Sequence, residues 1–165
     1  MFNQTTLIQQ TIASEHYNQG GGEHLRSQAA QFFWRLNLVA RWSSFWHKLR
    51  GQSTDLQDLN QVEREMTFVT RRYAGMQTVA LVDIQGSEGR CTDFDNRFRP
   101  LQSHNQDRWV GLYAAWQSGA VMPPVELVCV NGRYFVRDGH HRISIARFLG
   151  QAEIEAKVTM WETAV

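Results

Sequence analysis

Apolar and polar positions alternate with two different periods along the chain. From Glu23 to about Arg50, Leu25, Ala29, Phe32, Phe33, Leu36, Val39, Trp42, Trp46 and Leu49 recur at helical spacing, with Asn37, Arg41, Ser44 and Lys48 opposite, so an amphipathic helix is predicted. Gly51 is its stop. Ser53, Thr54 or Asp55 then caps a second helix through Leu56, Leu59, Val62, Met66 and Val69 to Arg71-Arg72, which makes a helical hairpin. Ahead of both, residues 1–22 are rich in Gln, Asn and Thr and close on Gly20-Gly21-Gly22, whose backbone costs the most entropy to order. They read as a flexible tail.

The second half of the chain has shorter periods. Thr78 to Ile84 is β-branched and reads as a buried strand, followed by the loop Gly86-Ser87-Glu88-Gly89-Arg90. Trp109, Leu112, Tyr113 and Trp116 place a helix between about 104 and 118, with Gly119 as its stop. After Pro123-Pro124 comes a hairpin, Val125 to Val130 and Arg133 to Arg137, joined by Asn131-Gly132. Its register pairs Val128 with Phe135 and Glu126 with Arg137, and puts Leu127, Cys129, Tyr134 and Val136 on one face, with Cys129 a small core residue. A helix follows Asp138-Gly139-His140-His141-Arg142 and ends at Gly150, and a last strand runs from about Glu153 to Met160. The order β, α, β, β, α, β implies an α/β fold with a small mixed sheet and packed helices, preceded by the helical hairpin.

The chain of 165 residues is long enough for one such domain with an extension. The division is a tail at 1–22, a helical extension at 23–75 and the α/β domain at 76–165. No apolar run reaches the length of a membrane span and the start does not read as a secretory signal, so a soluble, cytoplasmic protein is expected. Cys91 and Cys129 lack C-x-x-C partners, which removes the zinc ribbon and the thioredoxin-type pair. Seventeen Lys and Arg against sixteen Asp and Glu, mixed along the chain, leave no footprint of a general DNA binder. Packing of the aromatic helix against the second helix or the α/β domain is preferred over a membrane-surface anchor.

The chemistry concentrates at residues 138–142. Free backbone N–H groups at a helix start and the positive end of its dipole favour a phosphate or carboxylate. Gly139 allows close approach, Arg142 offers a forked ion pair, and His140 and His141 add donors whose charge changes near neutral pH. Each has a plainer reading: Asp138 as an N-cap, Gly139 as a turn residue, the histidines as solvent-facing. Two adjacent histidines with no third ligand at recognisable spacing do not make a metal site.

From Val79 to Val158, the strand, the Gly-Ser-Glu-Gly-Arg loop, the helix to Gly119, the Pro-led hairpin and the turn together resemble the ParB/sulfiredoxin superfamily. The resemblance implies a Gly-x-x-Arg turn that cradles a nucleotide phosphate, mapped here onto Gly139, His140, His141 and Arg142. His140 stands where sulfiredoxins have their catalytic cysteine, so repair of sulfinic acid through that residue is excluded. The glutamate-arginine pair of CTP-hydrolysing ParB proteins is here a pair of histidines, and residues 76–165 are expected to hold no helix-turn-helix region, so partition-complex function is not expected. The turn is most similar to the Asp-Gly-His-Thr-Arg form of free serine kinases, with His141 in place of threonine. That similarity implies a nucleoside triphosphate or diphosphate with Mg²⁺, a small-molecule substrate, and a carboxylate that activates a hydroxyl. Glu88 and Asp138 are the candidate catalytic carboxylates; Arg90 and Ser144 are further candidate phosphate ligands. Asp93 and Asp95 are explained as well by an ordinary turn as by a metal. The alternative is a non-catalytic ligand-sensing module or a DNA-binding one.

Overall fold

The computed structural model describes residues 4–163, with side-chain surroundings from residue 22 onward. Its elements are α1 (Gln4–Leu49), β1 (Gln57–Asp58), α2 (Leu59–Glu65), β2 (Phe68–Ala80), β3 (Ile84–Ser87), α3 (Gln106–Gln117), β4 (Val125–Val130), β5 (Arg133–Asp138), α4 (His140–Phe148) and β6 (Glu153–Thr163). Single 3-10 turns at Leu81–Asp83 and Ser103–Asn105 lead into β3 and α3. The fold is mixed α/β: the six strands form one sheet in the order β1-β3-β5-β4-β6-β2. β1 with β3, β3 with β5 and β4 with β6 run parallel; β4 with β5 and β2 with β6 run antiparallel.

The β4–β5 hairpin is at the centre of the sheet because both its faces are apolar. Leu127, Cys129 and Val136 pack with Ile143 and Ala146 of α4 and with Phe94 and Phe98, while Val128, Val130 and Phe135 meet Leu59 and Trp161 on the other side. Asn131 and Gly132 both adopt positive φ, 50° and 78°, as the tight turn with primed geometry requires. The pairing of Val128 with Phe135 is as the pattern predicts, but a bulge between Glu126 and Leu127 sets Glu126 opposite Asp138 instead of Arg137. Arg137 turns instead to Glu88, at the end of β3.

A second core joins the helices. Ala29 and Phe33 of α1 pack on Trp109 and Tyr113 of α3 and Ile145 of α4, and all but Tyr113 are wholly buried. Burial of a Phe side chain contributes about 2–3 kcal/mol, so this half of α1 is held as part of the fold. Asn37 reinforces the contact by donating to the Pro100 carbonyl at 3.1 Å, and Thr54 donates to Ser44 at 3.0 Å.

The first half of the chain departs from the sequence pattern in three places, one of them the strand expected over Thr78–Ile84 with a loop from Gly86: Leu81–Asp83 is a 3-10 turn between β2 and β3, and Gly86 and Ser87 belong to β3. α1 begins at Gln4, so the backbone is helical through Gly20-Gly21-Gly22, where composition reads as a flexible tail; residues 1–3 lie outside the described residues. The second limb of the hairpin is only α2, and from Phe68 the chain is strand. Val69, Thr70, Tyr73, Thr78 and Val79 suit a pleated surface, and the whole of β2 is offered an antiparallel partner in β6, so tertiary pairing overrides helical spacing. The Arg71-Arg72 pair therefore sits mid-strand, Arg71 over the Trp161 ring at 4.0 Å and paired with Glu63, Arg72 paired with Glu162. β2 continues across positions 75 and 76, with a register shift between Tyr73 and Gly75, where Gly75 takes a φ of 89°.

Candidate functional site

β5 passes into α4 through one residue, Gly139, at φ 101°. A Cβ there would lie 2.5 Å from Val125 Cγ1, so both the backbone and the packing against β4 require glycine. Gly139 itself is the N-cap, and no side chain caps the helix. The N–H groups of the first turn of α4 are thus without a side-chain cap. Asp138, read from sequence as a possible cap, instead accepts from Arg142 Nη2 at 2.5 Å, one turn along.

The two histidines are buried, not solvent-facing, each 5 % exposed. His140 Nε2 shares a hydrogen bond of 2.6 Å with Ser87 Oγ, and His141 Nε2 one of 3.2 Å with Asn105 Oδ1. Phe94 serves both: it stacks on His140 at 5.9 Å and meets His141 edge-on at 5.3 Å. Burial, followed by the positive charges of Arg90 and His141, pushes His140 down to about 4. Burial, followed by Arg108 and Arg90, pushes His141 down to about 4. At neutral pH both rings are therefore uncharged, with one donor and one acceptor nitrogen each, and neither switches charge there as its ordinary titration range suggests. Behind His141, Asn105 Nδ2 is buried with no hydrogen-bond partner among the described residues, a situation that costs about 1–3 kcal/mol.

The turn opens on a cavity of about 170 Å³ bordered by residues 137–142 together with Arg90, Arg108 and Leu112. Positive charge on its wall comes from the arginines. Arg90 is 3.8 Å from Asp93, Arg137 donates to Glu88 Oε2 at 2.7 Å, and Arg108 makes no ion pair among the described residues. Arg142 borders the cavity, but its Nη1 donates inward to the Pro123 and Pro124 carbonyls at 2.6 and 2.8 Å and its Nη2 to Asp138. Its first role is to pin the β5–α4 turn to the Pro-led entry of β4. The donor set fits an anion. The one carboxylate on the wall, Asp138, is held by Arg142, so a Mg²⁺ arriving with a nucleotide would take its oxygen ligands from phosphates and water.

Of the residues singled out in the sequence, Arg90, Asp138, Gly139, His140, His141 and Arg142 come together around this cavity. Glu88 stands next to it through Arg137. Ser144 does not border it: its Oγ accepts from Trp109 Nε1 at 3.0 Å in the helical core. Asp95 is wholly buried and organises its own loop, accepting from Arg97 N, Arg99 N and the Arg99 side chain, while Phe98 takes a positive φ of 58°. Arg108, Arg137, Ser87 and Asn105 are additions from the structure. Ser87 sits in the loop already marked by its two glycines, and Arg137 in the strand leading to the turn; Arg108 and Asn105 carry no signal in the sequence, because only the tertiary placement of α3 brings them near.

No family model matches the sequence, and no curated protein matches it. Among solved structures, the crystal structure of sulfiredoxin from Arabidopsis thaliana is similar to this chain at 20 % identity and a TM-score of 0.38, over 50 % of this chain and 82 % of that one. A likeness of that depth carries nothing about chemistry, and the mixed α/β architecture rests on the chain's own topology.

Proposed function

We propose that this protein is a nucleotide-binding protein of ParB/sulfiredoxin type, taking a phosphate group at the β5–α4 turn. The observation that carries the reading is the cavity itself, bordered together by arginines, neutral imidazoles and an uncapped helix start. Its volume suits one phosphate group and not a whole nucleotide. Arg142 also borders a larger cleft of about 590 Å³ with Trp116, Met122 and Pro123, which offers an apolar surface for the rest of a ligand.

Whether binding is coupled to phosphoryl transfer or hydrolysis turns on Glu88 and Asp138. Both carboxylates are held in ion pairs, Glu88 by Arg137 and Asp138 by Arg142. That favours, as the second reading, a module that binds and reports the nucleotide without turning it over. Thermal melting of the protein with ATP, ADP, CTP and GTP in the presence of Mg²⁺ tests the first claim, because a ligand that binds only the folded state raises the melting temperature. A rise for one nucleotide that is lost in Arg90→Ala/Arg108→Ala is expected; no rise at millimolar nucleotide sinks the reading. Phosphate release by the wild type that disappears in Glu88→Gln, with the melting shift intact, assigns catalysis. A shift with no release assigns sensing.

A further inference from the structure

α1 has two apolar faces in its second half, and only one of them is used. Ala29, Phe33 and Ala40 are wholly buried toward the domain, and Asn37 and Ser44 on that side are tied to Pro100 and Thr54. On the opposite side Leu38, Trp42, Phe45, Trp46 and Leu49 are between 51 % and 64 % exposed. The sequence reading, in which this aromatic face packs within the chain, is thus corrected for these residues. Trp42, Phe45 and Trp46 stack edge-to-face on one another, with ring centroids 6.3 and 5.9 Å apart, so the patch is continuous and ordered without a cover.

We propose that this face docks the protein on the surface of a bilayer containing anionic lipids, with the three aromatic rings and Leu49 at the headgroup level. The charge around the face selects this partner. Between residues 24 and 54 the chain has Arg26, Arg35, Arg41, Lys48 and Arg50 and no Asp or Glu. Arg41 and Lys48 lie along one side of the aromatic patch and Arg35 lies about one turn before its first residue, Leu38, with all three cations exposed. Trp and Phe beside Lys and Arg is the composition that settles at the interface of an anionic membrane. A second copy of the chain fits less well, because a twofold contact through this face gathers Arg35, Arg41 and Lys48 of both copies with no Asp or Glu between residues 24 and 54 to offset them. No helix among the described residues is long and apolar enough to cross a membrane, so the geometry is that of a helix lying on the surface.

The test is co-sedimentation with phosphatidylcholine vesicles, with and without phosphatidylserine, alongside tryptophan emission. Binding to the phosphatidylserine vesicles with a blue-shifted emission is expected, weakened at least about tenfold on neutral vesicles and in high salt, because several cations contribute at the surface. Trp42→Gln/Trp46→Gln and, separately, Arg41→Glu/Lys48→Glu are expected to abolish it while leaving thermal melting unchanged, since these side chains are exposed. No association with phosphatidylserine vesicles overturns the proposal. So does equal binding by the tryptophan variant, or a wild-type dimer in sedimentation equilibrium that this variant dissociates.

Discussion

Single residues at the β5–α4 turn have structural duties that come before any chemical one. Gly139 is held by a positive φ and by contact with Val125, so Gly139→Ala should cost at least about 2 kcal/mol in a urea melt, the sum of strain and overpacking. Arg142 pins Pro123 and Pro124, and for that reason its removal confounds stability with binding; Arg90 and Arg108 are the cleaner probes. The histidines give the pH dependence its sign. Their folded-state values near 4 lie below the unfolded value of about 6.5, so between those limits the unfolded chain binds more protons and stability falls as pH falls. The melting temperature should hold from pH 8 to about 6.5 and drop toward pH 4, and His140→Gln/His141→Gln should flatten that slope. A melting curve indifferent to pH over this window would contradict the neutral, buried histidines. What the sequence could say of these residues was their number and order; their burial depends on Phe94 and on α3, which arrive from elsewhere in the chain.

Elements were legible where one periodicity dominated and a turn residue marked each end. Asn131-Gly132 fixed the hairpin, Gly119 and Gly150 closed α3 and α4, and the α, β, β, α, β run from α3 to β6 stands as the pattern has it, whereas the strand expected over 78–84 is divided by a 3-10 turn between β2 and β3. Legibility failed for residues 68–72, whose apolar spacing fits the end of a helix locally but whose partner, β6, lies at the other end of the chain. It failed again at Glu126, where one bulged residue redirected Arg137 to Glu88, beside the cavity that Arg90, Arg108 and Arg142 also border. The two faces of α1 can be separated by mutation. Phe33→Ala should lose about 3–5 kcal/mol, the cost of a cavity in a packed core, whereas Trp42→Gln should stay within about 0.5 kcal/mol. Equal losses in chemical denaturation would mean that the second face is covered.

At the scale of the whole molecule, the sheet sets Ser87 at the end of β3 beside the start of α4, and α3 brings Arg108 and Asn105 to the same edge. The near-neutral net charge hid this, because local positive potential depends on which arginines converge and not on how many the chain has. The central claim is that this edge is an anion site. It is tested most directly by following the imidazole resonances of His140 and His141 by NMR while the protein is titrated with Mg²⁺-free ADP, in the wild type and in Arg90→Ala/Arg108→Ala. The expected result is a saturable shift of both rings that is absent from the variant. Rings that stay unmoved at millimolar ADP, or that move equally in the variant, would contradict it.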